Sequence, residues 1–244
     1  LALIPHALSV KTLICLYLSY GNIVILLNLS MNDLKNNFIE FAINEQILRF
    51  GDFVLKSGRN SPYYFNTGLC CSGSKLRCLA DFYANYIQQS ELNFDFIFGP
   101  AYKGITLASS ISLQLNNLFS VDKPFSSNRK EEKKHGEAGL TIGATLSGNV
   151  VIVDDVITAG TAIKESINLI ASAGANVTGI IVGLDRKEKG LTKYSAIQEI
   201  QRDYEIPIVS IVDIDDIIQH VTQHESSENL LSNISEYREK FGVD

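Results

Sequence analysis

The stretch Val150–Ala162, VVIVDDVITAGTA, constrains the fold of this chain more than any other segment. Its first four residues are all β-branched, which suits a central strand buried on both faces, and such strands belong to parallel sheets covered by helices. Two adjacent carboxylates, Asp154 and Asp155, end the run. A loop of small residues, Thr158-Ala-Gly-Thr161, then leads into an expected helix over 161–173. Ligands of open parallel sheets bind beyond the carboxyl ends of the strands. A helix start there offers unpaired N–H groups and the positive end of the helix dipole, both suited to a phosphate, and threonine hydroxyls add donors. The loop lacks both Gly-x-x-x-x-Gly-Lys and Gly-x-Gly-x-x-Gly. Acids beside an anion cradle make sense if the ligand carries a sugar between its charged ends. The loop takes the phosphate, while the acids accept hydrogen bonds from sugar hydroxyls and favour positive charge on a reacting sugar carbon. Two capping aspartates on an ordinary turn are the plainer alternative, which the thirteen residues taken together disfavour.

The remaining chain alternates helical and strand-like patterns from Met31 onward. Residues 33–49 carry apolar side chains at near-helical spacing. Phe53–Leu55 and Tyr63–Phe65 are short β-like runs around a turn at Ser57-Gly58. Residues 75–89 read as a helix, Phe94–Phe98 as a strand stopped by Gly99-Pro100, and about 104–116 as a helix. Strand 177–183, helix 194–203, strand 206–212 and a helical tail follow. This alternation implies βαβ units and a mostly parallel sheet flanked by helices, an α/β fold. Residues 126–140, SSNRKEEKKHGEAGL, have no apolar period and read as a long solvated loop.

The 244 residues suit one α/β domain, and no interdomain linker or repeat is visible. A net charge of −6 argues against broad nucleic-acid binding, which needs a basic face. Cys15, Cys70, Cys71 and Cys78 form no Cys-x-x-Cys pair and read as reduced, buried thiols of a cytosolic protein. Residues 12–30 are uncharged and long enough to be weighed as a membrane span or signal core. Gly21, Asn22 and Asn28 interrupt them, and the only methionine is Met31. We therefore expect a functional domain over 31–244, with 1–30 as an extension outside it and a membrane role unlikely.

At this point the residues carry a resemblance. The opening segment is similar to the phosphoribosyl-pyrophosphate (PRPP) motif of type I phosphoribosyltransferases. Phe53–Gly68 (FVLKSGRNSPYYFNTG), Phe98–Ile105 (FGPAYKGI), Asn128–Gly139 (NRKEEKKHGEAG) and Leu184–Gly190 (LDRKEKG) narrow the resemblance to orotate phosphoribosyltransferases, over about 32–243. It implies the type I fold, with a small hood built from the N-terminal part, and transfer of ribose 5-phosphate from PRPP to orotate. Asp154, Asp155, Val156, Ile157, Thr158, Ala159, Gly160, Thr161 and Ala162 would bind PRPP, as would Lys56, Tyr102 and Lys103. Loop 127–140 would be a lid shared across a homodimer, with Lys133 its main catalytic lysine and Arg129, Lys130 and His135 on the pyrophosphate; Lys134 sits at a position taken as variable. Tyr64, Phe65, Thr158 and Arg186 would contact orotate, Arg186 through its carboxylate. Mg²⁺ would be held mainly through PRPP and water rather than by a protein cage. Read alone, Lys103 and Arg186 are surface charges, Tyr64 and Phe65 core aromatics, and the lid a solvated charge run. A purine-salvage phosphoribosyltransferase shares the loop motif but should lack the set of Tyr64-Phe65, Arg186 and the Lys133–His135 lid. A non-catalytic PRPP-sensing regulator should bring a DNA-binding segment and a basic surface.

Overall fold

Strand alternation sorts the apolar residues of this chain into two layers. The computed structural model describes residues 30–55, 57–133, 139–190, 192–224 and 228–243. Their six-stranded sheet has the order β5-β4-β3-β6-β7-β8, formed by Gly139–Gly143, Phe125–Lys133, Phe96–Phe98, Asn149–Val156, Asn176–Asp185 and Ile208–Asp213. All neighbours are parallel except β4 and β5. Val151 and Val153 of β6 join a core with helices α1 (Met31–Asn44), α2 (Gly73–Gln89) and α3 (Lys103–Phe119). Val150 and Ile152 join a second core with α4 (Thr161–Ser172) and α5 (Ala196–Tyr204). All four are fully buried, as expected for a strand covered on both faces.

Local chemistry sets the element ends. Ser72 caps α2 by accepting from the Lys75 amide, and Ser195 and Gln198 form a reciprocal capping box on α5. Asp213 and Asp216 exchange the same bonds at the start of α6, Ile214–His224. The expected first helix stops early, at Asn44 instead of 49, because Gln46 turns left-handed at φ 61°. Leu48 then opens β1 (Leu48–Val54) while still packing into the same core, so the helical spacing runs on past the helix itself.

Strands β1 and β2 (Asn60–Phe65) pair as a separate antiparallel hairpin. The expected N-terminal hood is therefore present, and the last helix, α7 (Glu228–Phe241), joins it. Tyr237 packs edge-on against Tyr63, and Arg59 covers the Phe241 ring.

The solvated loop expected at 126–140 is not a loop over most of its length. Phe125–Lys133 and Gly139–Gly143 form two antiparallel arms in register at Ser126–Gly143 and Asn128–Thr141, with an irregularity between Asn128 and Lys133. Lys130 and Glu131 of the first arm are exposed, and the apolar Leu140 and Ile142 of the short second arm are exposed too, so no buried apolar face marked these strands in the sequence. Backbone pairing alone makes them strands. Residues 134–138, with Lys134 and His135, lie outside the described residues, as do Lys56, the Lys133 side chain and the segment 1–29. Among the described residues, no helix is long and apolar enough to cross a membrane.

Candidate active site

The carboxyl end of β6 gathers side chains from three other elements. Asp155 is 3 % exposed and lies on the face of β6 shared with Val151 and Val153. Its Oδ2 pairs with Lys103 Nζ, at the start of α3, and accepts from Thr67 Oγ1 at 3.2 Å. Its Oδ1 accepts from the Val156 amide at 3.0 Å. Asp154 is only partly buried, and its Oδ1 accepts from the Asp155 amide at 2.9 Å. Behind the pair, the buried Tyr83 hydroxyl donates to the Asp154 carbonyl at 2.8 Å. Gly183 on β7 makes this approach possible, because a Cβ there would stand 2.8 Å from the Tyr83 oxygen and 3.2 Å from the Asp155 carbonyl.

The electrostatics explain how two acids can border an anion cradle. Burial pushes the Asp154 carboxyl up to about 7, and the nearby Asp155 charge adds to the push. Lys103 neutralises Asp155. Near neutral pH the strand end therefore shows a phosphate far less negative charge than two free aspartates would.

This shift also makes stability depend on pH. The unfolded chain loses the Asp154 proton near the ordinary aspartate value of about 3.9, whereas the folded chain keeps it to about 7. The fold thus loses stability as pH rises through that window, and the loss is complete above it. Asp154→Asn removes the cost. The variant is expected to exceed the parent by about 2–4 kcal/mol at alkaline pH and to match it below the window. Urea unfolding at both pH values checks this, and an equal difference at the two would contradict it.

Gly160, at φ 74°, turns the chain from the strand end into α4, and no side chain caps that helix. A Cβ at Gly160 would come within 2.9 Å of Ile200. The first amides of α4 have no acceptor within the helix, and Thr158, Ala159 and Thr161 are exposed around them, with Val156, Ile157 and Ala162 half-buried. The loop thus has the open amides and left-handed turn that an anion cradle needs.

The turn 99–104 borders the same region. A Cβ on Gly99 would lie 1.9 Å from the Gly104 carbonyl oxygen, so this strand end and helix start meet backbone to backbone. Tyr102 is 72 % exposed. The Ala101 amide donates to Asn128 Oδ1 at 2.7 Å, which ties the turn to the root of the β4–β5 hairpin. Arg129 Nε donates to the Thr141 carbonyl across that hairpin.

The aromatic pair divides between two faces, as strand alternation requires. Phe65 is buried against Phe38 and reaches toward Gly183. Tyr64 stacks on Phe53, with Arg49 over both rings. Arg186 is not a surface charge: its guanidinium lies 4.0 Å over the Tyr63 ring and is bound to Glu188 and Ser61.

Thr67, Tyr83, Ser61 and Glu188 were not singled out from the sequence. Glu188 falls within the LDRKEKG run two residues after Arg186, and that spacing was its one signal. Burial raises the Cys70 thiol to about 11, so it stays protonated, whereas Cys78 is half-buried and Cys71 is exposed, contrary to the burial expected of it, because it follows Cys70 where the chain leaves the core.

Comparison with known proteins points the same way as this geometry. The profile of the phosphoribosyl transferase domain matches residues 75–214. The chain is 51 % identical over 213 residues to the orotate phosphoribosyltransferase of Actinobacillus pleuropneumoniae serotype 5b, covering 87 % of this chain and all of that protein. It is 49 % identical over the same length to the Haemophilus influenzae (strain PittGG) enzyme of that name. A 1.9 Å crystal structure of the Francisella tularensis orotate phosphoribosyltransferase superposes with a TM-score of 0.78 at 40 % identity, covering 85 % of this chain and all of that one. With its acid pair, glycine turn and hood in the expected order along the chain, this protein belongs to the orotate phosphoribosyltransferase family.

Proposed function

We propose that this enzyme transfers the 5-phosphoribosyl group from PRPP to a ring nitrogen of orotate, giving orotidine 5′-monophosphate and pyrophosphate, a step of de novo pyrimidine synthesis. The identity of 51 % over the whole length of a curated orotate phosphoribosyltransferase carries this reading. The site supplies a physical account of it.

The 5′-phosphate sits on the amides of Ala159–Thr161, where the dipole of α4 favours it. Asp154 and Asp155 accept hydrogen bonds from the ribose hydroxyls. As the bond from the anomeric carbon to pyrophosphate breaks, positive charge grows on the sugar, and the acid pair stabilises it. Asp154, poised at about 7, gains most from ionising as that charge develops. Lys103 and Tyr102 take the pyrophosphate side, and the resemblance assigns Lys56 a PRPP contact. The β4–β5 hairpin closes over the leaving group with Arg129, Lys130, Lys133 and His135, excluding water. Thr158, Tyr64, Phe65 and Arg186 form the orotate side.

Mg²⁺ fits this donor set as an ion carried in on the substrate. The ion prefers phosphate oxygens and water to a protein cage. Bound there, it offsets charge on the pyrophosphate. The enzyme acts as a cytoplasmic homodimer, each lid serving the partner's site, and residues 1–30 take no part in catalysis.

The test is purified full-length chain and residues 31–244, each with PRPP, Mg²⁺ and orotate, followed by ultraviolet loss of orotate. Equal turnover of orotate by both is expected, with none of hypoxanthine, guanine or uracil. Turnover of a purine but not of orotate would reject the assignment, and activity confined to the full-length chain would reject the stated domain boundary.

A further inference from the structure

The guanidinium of Arg186 is held before any substrate arrives. Nε donates to Glu188 Oε1 at 2.8 Å, and Nη2 lies 2.6 Å from the same oxygen. Nη2 also donates to Ser61 Oγ at 2.9 Å, and Ser61 in turn donates to the Tyr63 carbonyl. The Tyr63 hydroxyl donates to Glu188 Oε1 at 3.2 Å, while Arg59 Nη1 stands 3.8 Å from Oε2. The Arg186 and Glu188 side chains are 10 % and 14 % exposed. Charges this far from water persist only when paired and hydrogen-bonded. Glu188 and Ser61 engage Nε and Nη2, and the Tyr237 hydroxyl also interacts with the guanidinium.

Glu188 is itself fixed by the end of the chain. The Lys189 amide donates to the Phe241 carbonyl and the Val243 amide to the Lys187 carbonyl, both at 2.8 Å, around a bridge between Glu188 and Gly242. Gly242 leaves no room for a side chain, since a Cβ there would lie 2.4 Å from the Arg238 carbonyl oxygen. Lys187, left-handed at φ 45°, is anchored to Asp213 and Asp215. The backbone carrying Glu188 is thus clamped on both sides of the residue.

We propose that Glu188 is the positioning residue of the orotate subsite: it holds the Arg186 guanidinium over the Tyr63 ring in the orientation that receives the pyrimidine carboxylate. The proposal rests on the reading of Arg186 as the carboxylate partner. A guanidinium binds a carboxylate well only when its plane is preset, and without Glu188 the Arg186 head loses its charged partner and is oriented only by neutral groups such as Ser61 and the Tyr63 ring. The Glu188 charge also limits the cluster of Arg59, Arg186 and Glu188 to a net single positive charge, matching the single carboxylate of orotate.

The experiment measures KM for orotate and for PRPP in the full-length enzyme and its variants. Glu188→Ala is expected to raise the orotate KM about ten- to a hundredfold, the effect of losing a charge-assisted hydrogen bond. The PRPP KM should stay within about twofold, because the PRPP groups lie at other strand ends. Glu188→Gln keeps a neutral acceptor and should fall between parent and alanine. Adding Glu188→Ala to Arg186→Ala should change the orotate KM no further, since Glu188 acts through Arg186. An active parent with an unchanged orotate KM in both Glu188 variants overturns this proposal alone. Equal rises in both KM values, or full additivity with Arg186→Ala, reduce Glu188 to a structural role and also overturn it. A parent inert toward orotate instead removes the functional assignment beneath it. If Glu188→Ala fails to fold, Glu188→Gln in the two backgrounds gives the same decision.

Discussion

Asp155→Ala is expected to lower kcat/KM for orotate turnover by about a hundred- to a thousandfold, the range for deleting one preorganised charge-stabilising group. Asp155 is the most connected side chain of the site: it joins Lys103, Thr67 and the Val156 amide at the end of the central strand. Its removal frees Lys103 to swing toward solvent and leaves the Thr67 hydroxyl without its acceptor. Lys103 is nearly half exposed and rehydrates easily, so the stability cost should stay near about 1–3 kcal/mol. Asp155→Asn separates the two effects. The single amide oxygen can still accept from the Val156 amide or from Thr67, though not from both, which should recover part of the stability, but the charge facing the reacting carbon is gone and the rate should stay low. An asparagine variant as fast as the parent would show that the charge at this position does not matter.

Lys133→Ala is expected to reduce kcat by about a hundred- to a thousandfold with no change in Tm. Lys133 ends an arm of the β4–β5 hairpin whose neighbouring Lys130 and Glu131 are exposed, so folding gains little from it. Its value to the enzyme would come only on closure, beside a departing pyrophosphate in a water-poor site. A one-to-one mixture with Asp155→Asn chains tests where it acts. If each lid serves the partner subunit, half the dimers are mixed and each holds one intact site, so about a quarter of the parental rate should return. If each lid serves its own subunit, mixed dimers hold no intact site and the mixture stays inactive.

The strength of signal in the sequence followed what each segment buries. The run 150–153 is apolar on both faces, and it is the central strand with one residue pair in each core. The glycine turn at 160 and the paired acids were legible because their chemistry is written in adjacent residues. The β4–β5 hairpin was not, because the first arm is charged where it shows, at Lys130 and Glu131, and the second is only five residues long with exposed Leu140 and Ile142, so neither carries a buried apolar face. The early stop of the first helix was hidden because Ile47 and Leu48 bury into the same core as the helix they follow. Arg186 was visible as a residue, but its environment was not. Ser61 and Tyr63 lie on a strand far away in sequence, and only the packing of the hood against the end of β7 brings them to Arg186 and its near neighbour Glu188. Thr67 reached Asp155 the same way, across a separation of 88 positions.

The central claim concerns how the end of β6 and the start of α4 share one ligand, and a crystal structure of the enzyme with PRPP and Mg²⁺ tests it directly. The 5′-phosphate oxygens should lie about 3 Å from the amides of Ala159, Gly160 and Thr161, with the ribose hydroxyls donating to the carboxylates of Asp154 and Asp155. A phosphate bound away from those amides, or a ribose making no contact with either carboxylate, would contradict the account.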